Sequence, residues 1–418
     1  MVKKSILADI TQDIVKNILS NYFDIYQIKE FKGIVSRLIN SKKKHKNKIQ
    51  ASQRQQLGSN PQEYTYPLYI DLLITFAADK LNKAKFIELM LYIGEICIAR
   101  GELEIASQTY TQILSKINNE DRLENIAAHS LLALGEVNSR QAKWKKSIDF
   151  INQAKKYFSK QNDIKGIAKC NNLLGTIYAD RGSIKKATEC FEKSLSFLNP
   201  LTDIALIGRI ETNIGILNSI KGDYDDSLLY YQRALIKYEQ IKDALQMSKL
   251  RHNLGMLHTQ KGEYESALRE FDRSIVISIK AGFLPNLALS YLSKSYIYAK
   301  SNDLPLASAF VDKSFELSRK INDRLSIADI YKIKGIIERK LKHYDLSENY
   351  FLTSLRLNAE LENILNHAET LSELGELFIE INKKEEAKKC LKAALKDYKK
   401  IGADLHIKRA AAQLKNIT

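Results

Sequence analysis

Small and apolar positions recur along this chain with a fixed period. Gly94, Gly135, Gly175, Gly215, Gly255, Ser295, Gly335 and Gly375 are spaced by 41 residues once and by 40 thereafter. Twelve positions after each anchor stands Ala or Ser: Ala106, Ser147, Ala187, Ser227, Ala267, Ala307, Ser347 and Ala387. Sixteen after it comes a bulky residue, among them Tyr110, Phe191, Tyr231, Phe271 and Phe351. Nineteen after it the residue is small in every copy but the first, where Ile113 stands. The position before the anchor is apolar except at Lys294 and Lys334. Columns held in phase over this many copies mark a chain of stacked supersecondary units.

The spacing inside one copy predicts a helical hairpin. Steps of four and three between the small, bulky and small positions place them on one face of a second helix. The small residues admit a neighbouring helix, and the bulky one fills the space between. Seven residues past the anchor, Gly101, Gly182, Gly222 and Gly262 supply a left-handed residue to end the first helix; Asn302 and Asn382 stand in for glycine in two other copies. Ser183 and Asp223 then occupy the position expected of an N-cap for the second helix. Polar breaks such as Gln161-Asn162-Asp163 close the copy.

Leu174, Gly175, Tyr178, Ala187 and Phe191 together resemble the tetratricopeptide repeat, in the forty-residue variety of Pins-type adaptors, kinesin light chains and Rap-type regulators. The resemblance covers roughly residues 81–418, and it implies an all-α fold: a right-handed superhelical solenoid of antiparallel helix pairs. The family's proline near the end of the second helix is absent. The peptide-gripping Asn that adaptor relatives carry one residue after the anchor is replaced here by Glu, Thr, Ile, Met or Tyr. Such a fold grows linearly and draws its stability from neighbour-to-neighbour stacking, so 418 residues need not form several globules.

The expected organisation follows the pattern. Residues 1–60 form an N-terminal helical segment with a basic loop, with apolar periodicity at Ile10, Ile14 and Ile18 and again at Phe31, Ile34, Val35 and Leu38. Residues 41–60, rich in Lys, Asn and Gln, read as a loop or loosely held helix. Residues 61–402 form the solenoid, eight hairpin repeats preceded by a degenerate one whose surviving helix is Tyr69–Leu81. Residues 403–418 form a C-terminal capping helix. The N-terminus lacks the apolar core of a secretory signal, and no run of about 18 apolar residues suggests a membrane span.

The net charge of +16 sits at the ends: residues 1–60 hold 12 Lys and Arg against 4 Asp and Glu, and residues 379–418 hold 11 against 5. Nucleic acid as a partner would call for a basic stripe interleaved with aromatics, which the Lys42–Lys48 cluster lacks, so this is the third functional reading. The concave side offers more. First-helix positions six and three before the anchor, and one after it, give Lys169, Asn172 and Thr176; Arg209, Thr212 and Ile216; Lys249, His252 and Met256. Tyr296 continues the floor, and Asn213 and Asn253 add amides one position on. A ladder of Lys169, Arg209 and Lys249 beside an apolar floor suits a protein or peptide partner with acidic and apolar side chains.

No catalytic, cofactor or metal motif accompanies this pattern. Cys97, Cys170, Cys190 and Cys390 are far apart, which fits neither a zinc site nor a disulfide framework and suits a reducing, cytoplasmic compartment. No phosphate-binding glycine loop, HExxH or GxSxG occurs. Trp144 takes the aromatic place of Tyr224, Tyr264 and Tyr344 and is explained by packing. The expectation is a non-enzymatic interaction scaffold; the Rap-type resemblance implies the alternative of a peptide-responsive regulator.

Overall fold

The structure is a computed structural model that describes residues 19–49, 65–117 and 124–417. Expectations for Ile10, Ile14, Ile18 and residues 50–64 lie outside the described residues. Every regular element among the described residues is a helix. The described chain falls into two compact units, one of Met1–Cys97 with Glu104–Lys116, the other of Ile98–Leu103 with Ile117–Thr418.

In the first unit, α1 (Ile25–Ile49), α2 (Thr65–Lys80), most of α3 (Lys83–Arg100) and most of α4 (Leu103–Ile117) pack together. Residues 41–49 continue α1 as helix. Phe76 is the hub: the rings of Phe23 and Phe31 lie 5.3 and 5.4 Å from it, and Ile70, Leu73 and Ala77 close the core. Lys80 pairs with Glu30 at 3.2 Å.

The second unit is a superhelix of antiparallel hairpins. First helices are α5 (Glu124–Arg140), α7 (Ile164–Asp180), α9 (Ile204–Lys221), α11 (Ala244–Gln260), α13 (Leu284–Lys300), α15 (Arg324–Lys340) and α17 (Ile364–Glu380). Their partners are α6 (Trp144–Lys160), α8 (Ile184–Leu195), α10 (Tyr224–Ile241), α12 (Tyr264–Ala281), α14 (Leu304–Lys320), α16 (Tyr344–Glu360) and α18 (Lys384–Ile401). Helix α19 (Asp404–Ile417) follows as a half-repeat with Ala410 buried.

Each hairpin locks through the columns of the sequence. A Cβ added at Gly175, Gly215 or Gly255 would stand 2.5 Å from the ring of Phe191, Tyr231 or Phe271, sixteen residues on. The anchor is therefore glycine because the bulky column presses on it. Where the anchor is Ser295, the sixteenth residue is the smaller Val311. Hydroxyls obey the same economy of space. Ser147, Ser227 and Ser347 donate to the carbonyls of Gly135, Gly215 and Gly335 at 2.6, 2.8 and 2.8 Å. In the Ser295 copy the hydroxyl has moved to the anchor and donates to the Ala307 carbonyl at 2.9 Å. Lys294 and Lys334, in the otherwise apolar column before the anchor, reach Asp272 and Asp312 of the preceding copy at 2.6 and 2.8 Å.

The turns are more uniform than their residues. The seventh position past the anchor is left-handed at Gly101, Gly182, Gly222, Gly262, Asn302 and Asn382, and also at Ala142 (φ 56°) and Lys342 (φ 64°). Ala142→Gly should therefore raise stability by ~1 kcal/mol, by relieving a left-handed alanine; an unchanged or lower thermal midpoint would count against it. The N-cap expectation needs correction. Ser183 and Asp223 hold the N-cap positions of α8 and α10 but make no side-chain cap bond. Asp163, Asp243, Asp323 and Asn363 cap first helices and Asp303 caps the second helix α14, each accepting from the backbone N–H three residues on at 2.8–3.3 Å.

Hairpin turns of early copies also seat on late ones. The Trp144 indole Nε1 donates to the Leu361 carbonyl at 2.8 Å, and Arg181 pairs with Glu362 at 2.8 Å. At Gly182 a Cβ would stand 2.1 Å from Ile401 Cγ2, and at Gly101 2.8 Å from Pro285 Cγ. Trp144 is thus packed as expected, but against a copy five repeats away.

Candidate trough and the comparisons with known proteins

First helices of successive copies pack on one another, α11 on α13 and α13 on α15, and the candidate trough is the face that this row leaves open. On a helix turning about 100° per residue, positions three before and four after the anchor lie within about 60° of its direction, on the packed side. Positions six and two before it, and one and five after it, lie about 100–160° away and face the open side. The expected groove set divides on this line.

Thr212 and His252, both three before the anchor, are not on the trough surface. Thr212 is 8% exposed, donates to the Gly208 carbonyl at 2.9 Å and meets the Tyr238 hydroxyl at 3.1 Å. His252 is 9% exposed, lies on the Phe271 ring and has Nδ1 3.4 Å from the Ser290 hydroxyl. Burial pushes its imidazole down to about 4, so it is neutral at pH 7. Asn172 shares their column but is half-buried; it accepts from Asn213 of the next copy at 2.9 Å, and Asn213 also donates to Thr176 at 3.3 Å.

The remaining expected residues stay accessible. Arg209 and Met256 are exposed, while Lys169, Thr176, Ile216, Lys249, Asn253 and Tyr296 are half-buried. Arg209 and Lys249 have no carboxylate within ion-pair distance among the described residues. Glu136, whose charge both feel from two or three copies away, is already held by Arg140 at 2.5 Å. Desolvation, with Arg140 adding repulsion, pushes the Lys249 ammonium down to about 8.

Five residues past the anchor runs a column that the sequence reading passed over: Arg140, Asp180, Ile220, Gln260, Lys300, Lys340 and Glu380. Water reaches Asp180, yet surrounding protein raises its carboxyl to about 7. Lys300 reaches Glu373, two copies on, at 3.2 Å, its ammonium lying 5.4 Å from the Tyr296 ring. Beyond it Lys332 bridges Asp329 and Glu369 at 3.2 and 2.6 Å. Arg339 bridges Glu373, Glu376 and Glu380 at 2.9, 2.8 and 3.5 Å. These networks were missed because each cation sits in a different column from the carboxylates it holds. The recurrence of Glu at 369, 373, 376 and 380 on one helix was the available signal.

Among the described residues no group of three or more His, Cys, Asp and Glu could hold a metal ion, and no helix is long and apolar enough to cross a membrane. The four cysteines are free thiols; burial pushes that of Cys170 up to about 12.

Two tetratricopeptide-repeat family profiles match the chain, one over residues 249–281 and the other over residues 168–197 and 368–396. No curated protein matches the sequence. Among solved structures, a Rap protein complexed with Competence and Sporulation Factor superposes with a TM-score of 0.62 at 15% identity, over 93% of this chain and 99% of that one. The Rap conjugation gene regulator of plasmid pLS20, in complex with the Phr* peptide, gives a TM-score of 0.56 at 17% identity, over 76% of this chain and 96% of that one. The APC/C hetero-tetramer Cut9–Hcn1 gives 0.55 at 16%, over 83% of this chain and 60% of that one.

Proposed function

We propose that this chain, a tetratricopeptide-repeat protein by its profile matches and its fold, is a protein-interaction scaffold that acts without catalysis by holding a peptide or helical segment of a partner in the trough. The observation that carries this reading is the pair Arg209 and Lys249: cations on the open face without a carboxylate at ion-pair distance, beside the apolar side chains of Ile216, Met256 and Tyr296. Lys249, desolvated and left unpaired by the fold, binds a partner's carboxylate more strongly than a solvated cation does, and the exposed Arg209 adds to its attraction. Lys169, Thr176 and Asn253 extend the same face.

The test is capture of the partner by the full chain and by the variant Lys169→Glu, Arg209→Glu, Lys249→Glu. Affinity should fall at least about tenfold, because each reversal repels the carboxylate it formerly attracted. Undiminished capture by a variant with an unchanged helical circular dichroism spectrum would remove the ladder from the site.

A second reading, a peptide-responsive regulator, is favoured by the breadth of the likeness to the Rap protein, which takes in the first unit as well as the repeats. Both Rap structures named above are complexes, one with a factor and one with a peptide. In a regulator, hydrogen exchange in α1 changes when the trough is filled. In a passive scaffold it does not, and that measurement separates the two.

A further inference from the structure

The column six residues before the anchor changes sign along the trough. It reads Lys169, Arg209 and Lys249, passes through Leu289, and ends in Asp329 and Glu369. The two ends also differ in how their charges are disposed. At the first, Arg209 and Lys249 are unmatched, since the nearby Glu136 is bound by Arg140. At the second, the cations lie beneath the carboxylates. The side chains of Lys332 and Arg339 are 11% and 5% exposed, whereas those of Glu369, Glu376 and Glu380 are 32%, 35% and 46% exposed. The buried cations hold the acids in place and α19 covers part of them, Gln413 donating to Glu376 at 2.9 Å and His406 lying 3.9 Å from Glu369; what stays accessible of these carboxylates makes the surface anionic. Between the ends the same face carries Met256, Leu289 and Tyr296.

We propose that the trough is electrically polar and takes a segment whose charge runs from acidic to basic through an apolar middle. Its acidic end lies between Arg209 and Lys249, and its basic end lies over Glu369 and Glu376. This rests on the reading that the trough holds a peptide, and adds to it the partner's chemistry and orientation. Charge complementarity at two separated places fixes register and direction, which one charged patch cannot do. A concave wall of low polarity strengthens the effect by focusing the field. Arg209 and Glu369 are four copies apart. At a helix spacing of 8–10 Å that is at most about 40 Å, or ~12 residues of extended chain.

The experiment uses the full chain and three fluorescent peptides of about twelve residues with a common Leu and Phe middle. One has an acidic and a basic end, one has two acidic ends, and one has two basic ends. Fluorescence anisotropy should rank the mixed peptide tightest, by about tenfold or more at low salt. Arg209→Ala with Lys249→Ala should weaken the mixed and acidic peptides about tenfold and leave the basic one as tight or tighter. Glu369→Gln with Glu376→Gln should weaken the mixed and basic peptides and spare the acidic one. Glutamine keeps an acceptor for Lys332 and Arg339, and a thermal melt reports that the fold survives. If the doubly acidic peptide binds as tightly as the mixed one, or if both double variants weaken all three peptides alike, the polarity is overturned while trough binding stands. Failure of all three peptides to bind overturns the trough reading itself.

Discussion

Gly255→Val is expected to lower stability by ~3 kcal/mol, because any Cβ at this position meets the Phe271 ring at 2.5 Å. Neither side can give way easily: Phe271 is fully buried, and the neighbouring Ala267 is buried as well. The protein already contains the remedy. In the Ser295 copy a side chain at the anchor is tolerated because Val311 stands where the aromatic would be, and the new hydroxyl finds the Ala307 carbonyl. Gly255→Ser alone should therefore cost ~2 kcal/mol, and Gly255→Ser with Phe271→Val should cost less than the sum of the two single changes. Denaturation followed by circular dichroism measures this coupling. Strict additivity would mean that the anchor and the sixteenth residue do not share one space.

Arg339→Leu should cost ~3–5 kcal/mol at pH 7, the range for removing one partner of a buried charge network. The guanidinium is 5% exposed and serves three carboxylates, those of Glu373, Glu376 and Glu380. It also donates to the Glu373 carbonyl at 3.0 Å. Without it these acids repel one another, Glu373 being itself only 13% exposed. Arg339→Lys, which keeps a cation beneath these acids, should recover part of the loss. An equal loss in Arg339→Lys and Arg339→Leu, read by thermal denaturation, would instead assign Arg339 a packing role alone.

The repeat frame was legible because it depends on steric columns: Gly against Phe or Tyr, Ala or Ser against a helix backbone. Such contacts recur identically in each copy and therefore survive as sequence periodicity. The candidate trough was legible in part. Lys169, Arg209, Lys249, Ile216, Met256 and Tyr296 are accessible, whereas Thr212 and His252 are buried. The error was angular, since a position three residues before the anchor lies only about 60° from it. The acidic far end was not legible, because its pairs join different columns and reach across one or two copies, as Lys300 does to Glu373. The side-chain capping went unread for another reason. Ser183 and Asp223 have the right residue type in the right place, yet only the geometry of each turn decides whether the oxygen meets an N–H.

An open solenoid behaves as a one-dimensional lattice in which each unit answers only to its neighbours. The hydrogen bond from Trp144 to the Leu361 carbonyl and the seating of Gly182 on Ile401 add a second kind of bond, between units far apart in sequence. Terminal fraying is then no longer a local event. Melting of the last hairpin withdraws support from the third, and the array gains the all-or-none cooperativity of a globular domain.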